Sequence, residues 1–172
     1  MKSSLLILTL IFSLVQDVLG QEKAILSDDE IFTDIKLQSI KSLNPQKALY
    51  EGFLNALESD KYSKQTKIEL TASLYNHYLK EGSFLTFQTA FEKHSALFEN
   101  NAILYTYWQT ISLEYNEQFK AMFNSAEKLF QESEKSGDNQ NVSDAYRLLA
   151  RSKMYLNEKD SSLLFANLAL NF

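Results

Sequence analysis

The chain has 172 residues, of which 45% are hydrophobic and 23% charged, a composition that supports a buried core and argues against disorder. Its net charge of −5 argues against direct binding of nucleic acid, which needs a basic surface to neutralise phosphates. Four glycines and one proline favour long helices over a turn-rich β-fold. The chain has no cysteine, which excludes disulfides and a lipidated cysteine.

The amino-terminal residues have the pattern of an export signal. Lys2 supplies a positive charge, the run from Leu5 to Val15 is apolar, and Val18-Leu19-Gly20 suits cleavage before Gln21. The apolar run is shorter than the about 20 residues that span a bilayer. We therefore predict a signal peptide over residues 1–20 and an exported protein, either periplasmic or associated with the cell envelope. An uncleaved membrane anchor over residues 3–19 and a buried first helix are the alternatives.

Helix start and stop signals follow one another along the rest of the chain. A capping box over Ser27-Asp28-Asp29-Glu30 starts the first helix, and Asn44-Pro45 ends it and starts the second. The third is predicted from about Ser63 to Lys80, before Gly82 in the left-handed conformation. Five more are predicted over 83–99, 102–115, 119–135, 143–156 and from about 161 to the last residues. The polar stretch 136–141 has the composition of a loop.

These helices predict an all-α fold. No long stretch alternates with a period of two, so no sheet is expected. Short turns make successive helices antiparallel, and about eight helices after the leader form four stacked hairpins. We place an atypical hairpin at residues 21–62 and three similar hairpins at residues 63–172.

A sparse pattern recurs in the three carboxyl-terminal hairpins. Its anchors Leu74, Ile111 and Leu149 lie 37 and 38 residues apart (111 − 74 and 149 − 111). The flanking positions read Thr71-x-x-Leu74-Tyr75-x-x-Tyr78, Trp108-x-x-Ile111-Ser112-x-x-Tyr115 and Tyr146-x-x-Leu149-Ala150-x-x-Lys153. A period of this size is typical of helical solenoids, in which each repeat buries its apolar face against the next. The anchors are therefore expected to be packing residues, and the same is expected of Trp108.

The pattern resembles the tetratricopeptide repeat family, over residues 65–172 at most. The match is carried by Trp108, Ile111, Ser112 and Tyr115, by Leu74, Tyr78 and Gly82, and by Tyr146, Leu149 and Ala150. Tyr75 stands where the family has a small residue, Lys153 where it has an aromatic one, and the closing proline is missing. The spacing also exceeds the family's period of about 34 residues. The resemblance implies a short right-handed solenoid that binds a protein or peptide partner in its groove.

Carried onto this chain, the family's groove is lined by first-helix residues between the packing anchors. These positions are Asn76, Leu79 and Lys80 in one hairpin and Arg147, Arg151 and Met154 in another. Their cationic and amide groups could hold the carboxylate of a peptide through charge-assisted hydrogen bonds. The alternative is that they are solvated charges on a helix surface.

The sequence offers no pattern typical of catalysis. The two histidines, His77 and His94, lie in helices and lack partners at a recognised metal-ligand spacing. Phosphate-binding loops and nucleophile turns are missing. The acids at Asp28-Asp29-Glu30 suit the start of a helix, whose dipole favours negative charge there. We therefore predict no enzyme activity, catalytic residue, cofactor or metal site.

The leading hypothesis is a non-enzymatic interaction module that acts as a scaffold or sensor. An export leader before degenerate repeats resembles the sensory half of certain bacterial transcriptional regulators, whose membrane and DNA-binding segments are missing here. A helical small-ligand-binding domain is the other alternative.

The last helix would keep an apolar face, formed by Leu163, Leu164, Leu168 and Leu170. We expect either a truncated product, with a membrane tether farther downstream, or self-association at that end.

Overall fold

The computed structural model describes residues 28–172, and this part of the chain is all-helical, as predicted. The described residues form eight α-helices, α1 (Asp28–Ile40), α2 (Pro45–Glu58), α3 (Lys64–Lys80), α4 (Phe84–His94), α5 (Ala102–Tyr115), α6 (Phe119–Ser136), α7 (Asn139–Tyr155) and α8 (Lys159–Ala169). A 3-10 helix at Ser95–Phe98 follows α4. The predicted leader and Ser27 of the capping box lie outside the described residues. No helix within residues 28–172 has the length and apolar character to cross a membrane.

The chain divides into two compact units after Leu54, a position within α2. In the first unit, α1 and α2 approach closely at Gly52, where an added Cβ would lie 2.8 Å from Cγ2 of Ile35. The Asn44 side chain accepts a hydrogen bond from the backbone N–H of Lys47 at 3.1 Å, as expected for the cap before Pro45. The predicted boundary at residue 62 remains a prediction.

In the second unit, helices that follow one another pack together. The pairs α3–α4, α5–α6 and α7–α8 are in contact, as are α4–α5 and α6–α7. Contact between α5 and α7 places the first helices of two successive hairpins side by side. The three anchors Leu74, Ile111 and Leu149 are buried, as the recurrent pattern predicts.

Aromatic side chains surround Tyr75, the residue that departs from the small side chain expected from the resemblance. The Tyr75 ring is fully buried, and its centroid lies 5.2 Å from that of Trp108 on α5. Three more rings surround it with 5.4 to 6.0 Å between the ring centroids, those of Phe87, Phe91 and Phe98. Its hydroxyl donates to the carbonyl oxygen of Ala90 at 3.2 Å. Trp108 is also buried and therefore belongs to the core, as predicted.

The turn inside each of the three hairpins has the same backbone geometry. The backbone N–H groups of Ser83, Gln118 and Glu158 donate to the carbonyls of Tyr78, Leu113 and Lys153 at 2.8, 3.0 and 2.8 Å. The residue before each donor is left-handed, and these residues are Gly82, Glu117 and Asn157. The turns therefore recur at intervals of 35 and 40 residues (117 − 82 and 157 − 117). The interval differs from the anchor spacing because α5 ends two residues sooner after its anchor than α3 or α7.

Three predicted helix boundaries were wrong. The predicted loop 136–141 is reduced to Gly137 and Asp138. Gly137 is left-handed and ends α6, and the Asp138 carboxylate caps the amino end of α7. This cap is a 3.1 Å hydrogen bond from the N–H of Asn141. The α4 helix ends at His94 and continues as the 3-10 helix, and α8 begins at Lys159 without a further turn.

Candidate functional site

The predicted groove residues lie on two different helices. Asn76 and Lys80 are exposed on α3, whereas Arg147, Arg151 and Met154 are exposed on α7. The three α7 residues are four and three positions apart and therefore share one face of that helix. In the second unit, α3 packs on α4 and meets α5 through the Tyr75–Trp108 ring contact, whereas α7 contacts α5, α6 and α8. The candidate site is therefore the surface that α5 and α7 form together.

A buried carboxylate joins these two helices. The Glu114 side chain on α5 is 5% exposed, and its Oε1 accepts a hydrogen bond from Nη2 of Arg151 on α7. The same oxygen accepts a hydrogen bond from the Tyr155 hydroxyl at 3.0 Å. The second oxygen, Oε2, is buried and accepts no hydrogen bond from the described residues. A buried ionised group of this kind holds its partners firmly, because losing one of them would leave a desolvated charge.

The α7 side of the cluster follows from helix geometry. Arg147, Arg151 and Tyr155 are spaced by four residues, so their side chains project from the same face. Tyr155 is held at both ends, because its hydroxyl reaches Glu114 and its ring stacks on Phe119 of α6 at 4.6 Å. Burial and the hydrogen bond to Glu114 raise the pKa of Tyr155.

Tyr107 extends the same cluster along α5. It stands seven residues before Glu114, two helical turns away on the same face. Burial and then the charge of Asp144 raise its pKa, and the charges of Arg151 and Arg147 act in the opposite direction. The phenol of Tyr107 therefore shares its electrostatic environment with the charged residues of α7.

The outward-facing part of the cluster combines cationic and apolar groups. Arg147 pairs with Asp144 at 3.2 Å, and the Arg151 side chain is 43% exposed despite its bond to Glu114. Met154 and Tyr155 lie beside them with exposed apolar surface. Since a guanidinium has five N–H donors, Arg151 can hold Glu114 through Nη2 and still present donors to an anion. Both arginines have a carboxylate partner, which makes this surface less basic than two free cations would be.

A shallow cleft of about 400 Å³ lies apart from this cluster, between the 3-10 helix, α5 and α6. It is lined by Ser95, Ala96, Glu99, Ala102, Tyr105, Thr106 and Lys128. Two of its polar side chains bind the same carboxylate, because Glu132 accepts a hydrogen bond from Thr106 at 3.1 Å and pairs with Lys128 at 3.7 Å. The other polar side chains of the lining are Ser95, Glu99 and Tyr105.

The two histidines lie on different helices of the second unit. His77 lies on α3 beside the Tyr78 ring, and His94 ends α4. Burial, followed by the charge of Lys93, lowers the pKa of His94. The described part of the chain holds no group of three or more metal-ligating side chains.

Sequence reasoning missed Glu114, Tyr155 and Tyr107. A signal for Glu114 was present, because it is the one charged residue of α5. It also stands 37 residues before Arg151 (151 − 114), close to the anchor spacing. A lone charge in an apolar helix, with an opposite charge one repeat later, indicates an ion pair between neighbouring hairpins.

No family model, curated protein or solved structure matches the chain. The resemblance to tetratricopeptide repeats therefore remains a prediction. Functional inference rests on the residues of the α5–α7 cluster.

Proposed function

We propose that this chain is a non-enzymatic protein–protein interaction module, a short right-handed solenoid of degenerate tetratricopeptide-like hairpins. The recurring hairpin turn and the contact between α5 and α7 support this architecture. In such an array, first helices lie side by side and form a surface for a peptide or helix. The binding surface in this proposal is the α5–α7 cluster of Tyr107, Glu114, Arg147, Arg151, Met154 and Tyr155.

The observation that carries the proposal is the half-exposed Arg151 held by the buried Glu114. Long cationic side chains usually lose rotamer freedom when they bind, which weakens binding. Here Glu114 already restrains the guanidinium, so less freedom remains to be lost. Arginine, tyrosine and methionine are also the residue types enriched at protein interfaces. An arginine that is only a solvated surface charge does not require a buried carboxylate partner.

The chemistry of the surface indicates the kind of peptide it suits. Arg151 would donate to a carboxylate, from an acidic side chain or a peptide's carboxyl terminus. Met154 and Tyr155 would cover an apolar side chain next to that carboxylate. We therefore expect a segment with an acidic and an apolar residue within one or two positions of each other.

Selection from a random peptide library tests this function directly. Libraries with free and with amidated carboxyl termini are screened against the purified chain, and enriched peptides are measured by fluorescence polarisation. We expect acidic–apolar sequences whose affinity falls at least about tenfold in Arg151→Ala, as for loss of one charge-assisted contact. Lys120→Ala, an exposed cation on α6, serves as the matched control. Failure to enrich any peptide, or equal binding by both variants, would contradict the proposal.

The module is also proposed to act outside the inner membrane. The support is the export pattern of residues 1–20. Amino-terminal sequencing of protein recovered from the cell envelope should begin near Gln21. Recovery from the cytoplasm with Met1 still present would refute export.

A further inference from the structure

The α8 helix has one covered side and one open side. Ala169 is buried, and its carbonyl oxygen accepts a hydrogen bond from the Ser143 hydroxyl of α7 at 2.8 Å. On the open side, Leu163 is 64% exposed and Leu170 82% exposed. Leu164 is 58% exposed as well, whereas the Phe172 ring stacks on Tyr146 of α7 with 5.9 Å between the ring centroids. This concentration of exposed leucines in α8 and directly after it needs an explanation.

The repeated hairpins identify this open side as a helix-packing face. Leu163 stands six residues after the left-handed Asn157, as Gln88 stands six after Gly82, and Gln88 accepts a hydrogen bond from Ser112 of α5. Leu170 stands thirteen residues after Asn157, as Phe130 stands thirteen after Glu117. The Phe130 ring contacts Tyr146 of α7 at 4.8 Å. One equivalent position in α4 and one in α6 thus contact the first helix of the next hairpin.

Within the described residues, α8 packs on one first helix, α7, and its Phe165 ring also meets Phe123 of α6 with 6.4 Å between the ring centroids, whereas α4 and α6 each pack between two first helices. The face with Leu163 and Leu170 is therefore shaped by the repeat to receive a helix.

The chemistry of this face fits a second copy of the same chain. Residues 161–172 contain no charged side chain, so two copies could meet there without like charges facing each other. Asn167 is exposed between the leucines. An amide both donates and accepts, so two symmetry-related Asn167 side chains can hydrogen-bond to each other across a two-fold axis.

We propose that two copies of the chain associate through α8, with the two helices antiparallel about a two-fold axis near Asn167. A helix of 11 residues is about 16 Å long, which is short for an interface of standard size. A standard stable interface buries about 800 Å² per partner, so the dimer should be weak and concentration-dependent, in the micromolar range. This proposal is independent of the peptide site around Arg151.

Sedimentation velocity tests the proposal over a wide range of concentrations. We expect the 172-residue chain to pass from monomer to dimer, and the variant Leu163→Ser/Leu170→Ser to dimerise at least tenfold more weakly. Leu85→Ser is the matched control, because Leu85 is 85% exposed on α4. Both variants replace exposed residues, so their circular dichroism should match that of the parent chain. Any association through the apolar run at residues 5–15 is common to all variants and cannot produce the difference.

Cross-linking supplies a second readout that locates the axis. The chain has no cysteine, so Asn167→Cys introduces a single thiol that should form a disulfide-linked dimer on mild oxidation. Leu85→Cys should cross-link far more slowly. The proposal is overturned if the parent chain stays monomeric at millimolar concentration, if the α8 variant associates as strongly as the parent, or if both cysteine variants cross-link equally.

Discussion

Replacing Arg151 by methionine tests whether the link between Glu114 and Arg151 stabilises the protein. Methionine retains much of the length and apolar surface of arginine while removing its charge and donors. In the variant, the carboxylate of Glu114 remains buried between α5 and α7 with Tyr155 as its one described donor. We therefore expect a substantial loss of folding free energy.

The size of this loss follows from the burial of the two partners. Breaking a fully buried pair typically costs about 3–5 kcal/mol, and a hydrogen bond to a charged group contributes about 1.5–3 kcal/mol. The Glu114 side chain is 5% exposed but that of Arg151 is 43% exposed, so water already screens part of the attraction. We expect Arg151→Met to lower the free energy of unfolding by about 2 kcal/mol.

Urea denaturation followed by circular dichroism at 222 nm measures the change, and Arg147→Met is the matched control. Arg147 pairs with Asp144 on its own helix at an exposed position, where such a pair contributes about 0.5 kcal/mol or less. Adding Glu114→Leu to Arg151→Met should recover at least about 1 kcal/mol, because no buried charge then remains. If Arg151→Met and Arg147→Met lowered the free energy of unfolding equally, the burial of Glu114 would not make its pair with Arg151 more stabilising than the exposed pair of Arg147.

Three further predictions concern other parts of the chain. Glu117→Gly should stabilise the fold by up to about 1 kcal/mol in urea denaturation, because residue 117 is left-handed at φ 56° and glycine adopts that conformation without strain; an unchanged midpoint would contradict this. Ser143→Ala should cost about 1 kcal/mol by removing the buried hydrogen bond between α7 and α8, and native-state hydrogen exchange should locate the loss in α8. His94 should titrate below 6.5 in an NMR experiment, with the Asn or Gln variant at position 94 used to assign its signal. Because the unfolded chain then binds the proton first, the contribution of His94 to stability is complete above pH 6.5 and is lost as the pH falls through its folded pKa.

Local signals predicted most of the helices. The bounds of α5 follow from Asn101 and the turn at Asn116, and Asn101 indeed caps this helix through a 3.1 Å bond to the N–H of Leu104. The prediction of a loop over residues 136–141 was wrong, because a polar stretch can belong to a loop or to the exposed ends of two helices. Only the left-handed Gly137 and the side-chain cap of Asp138 decide where the helices stop.

The predicted groove residues show a different limit. Helical spacing places Arg147, Arg151 and Met154 on one face of α7 from sequence alone. It does not indicate that Arg151 is bound by Glu114, because those residues are 37 positions apart. Whether Arg151 is a solvated charge or a restrained donor depends on Glu114 in the preceding hairpin.

The amino-acid sequence by itself determined that the described chain is helical, where the hairpins at Gly82 and at residues 116–118 turn, and which anchors are buried. These features depend on contacts between residues a few positions apart and on the periodicity of apolar side chains. The tertiary structure alone decided that Glu114 and Arg151 meet and that Tyr155 joins them. It also decided that Leu163 and Leu170 are exposed at positions where the preceding hairpins contact the next first helix. Such pairings depend on how the helices stack, and stacking brings together residues that are distant in the sequence.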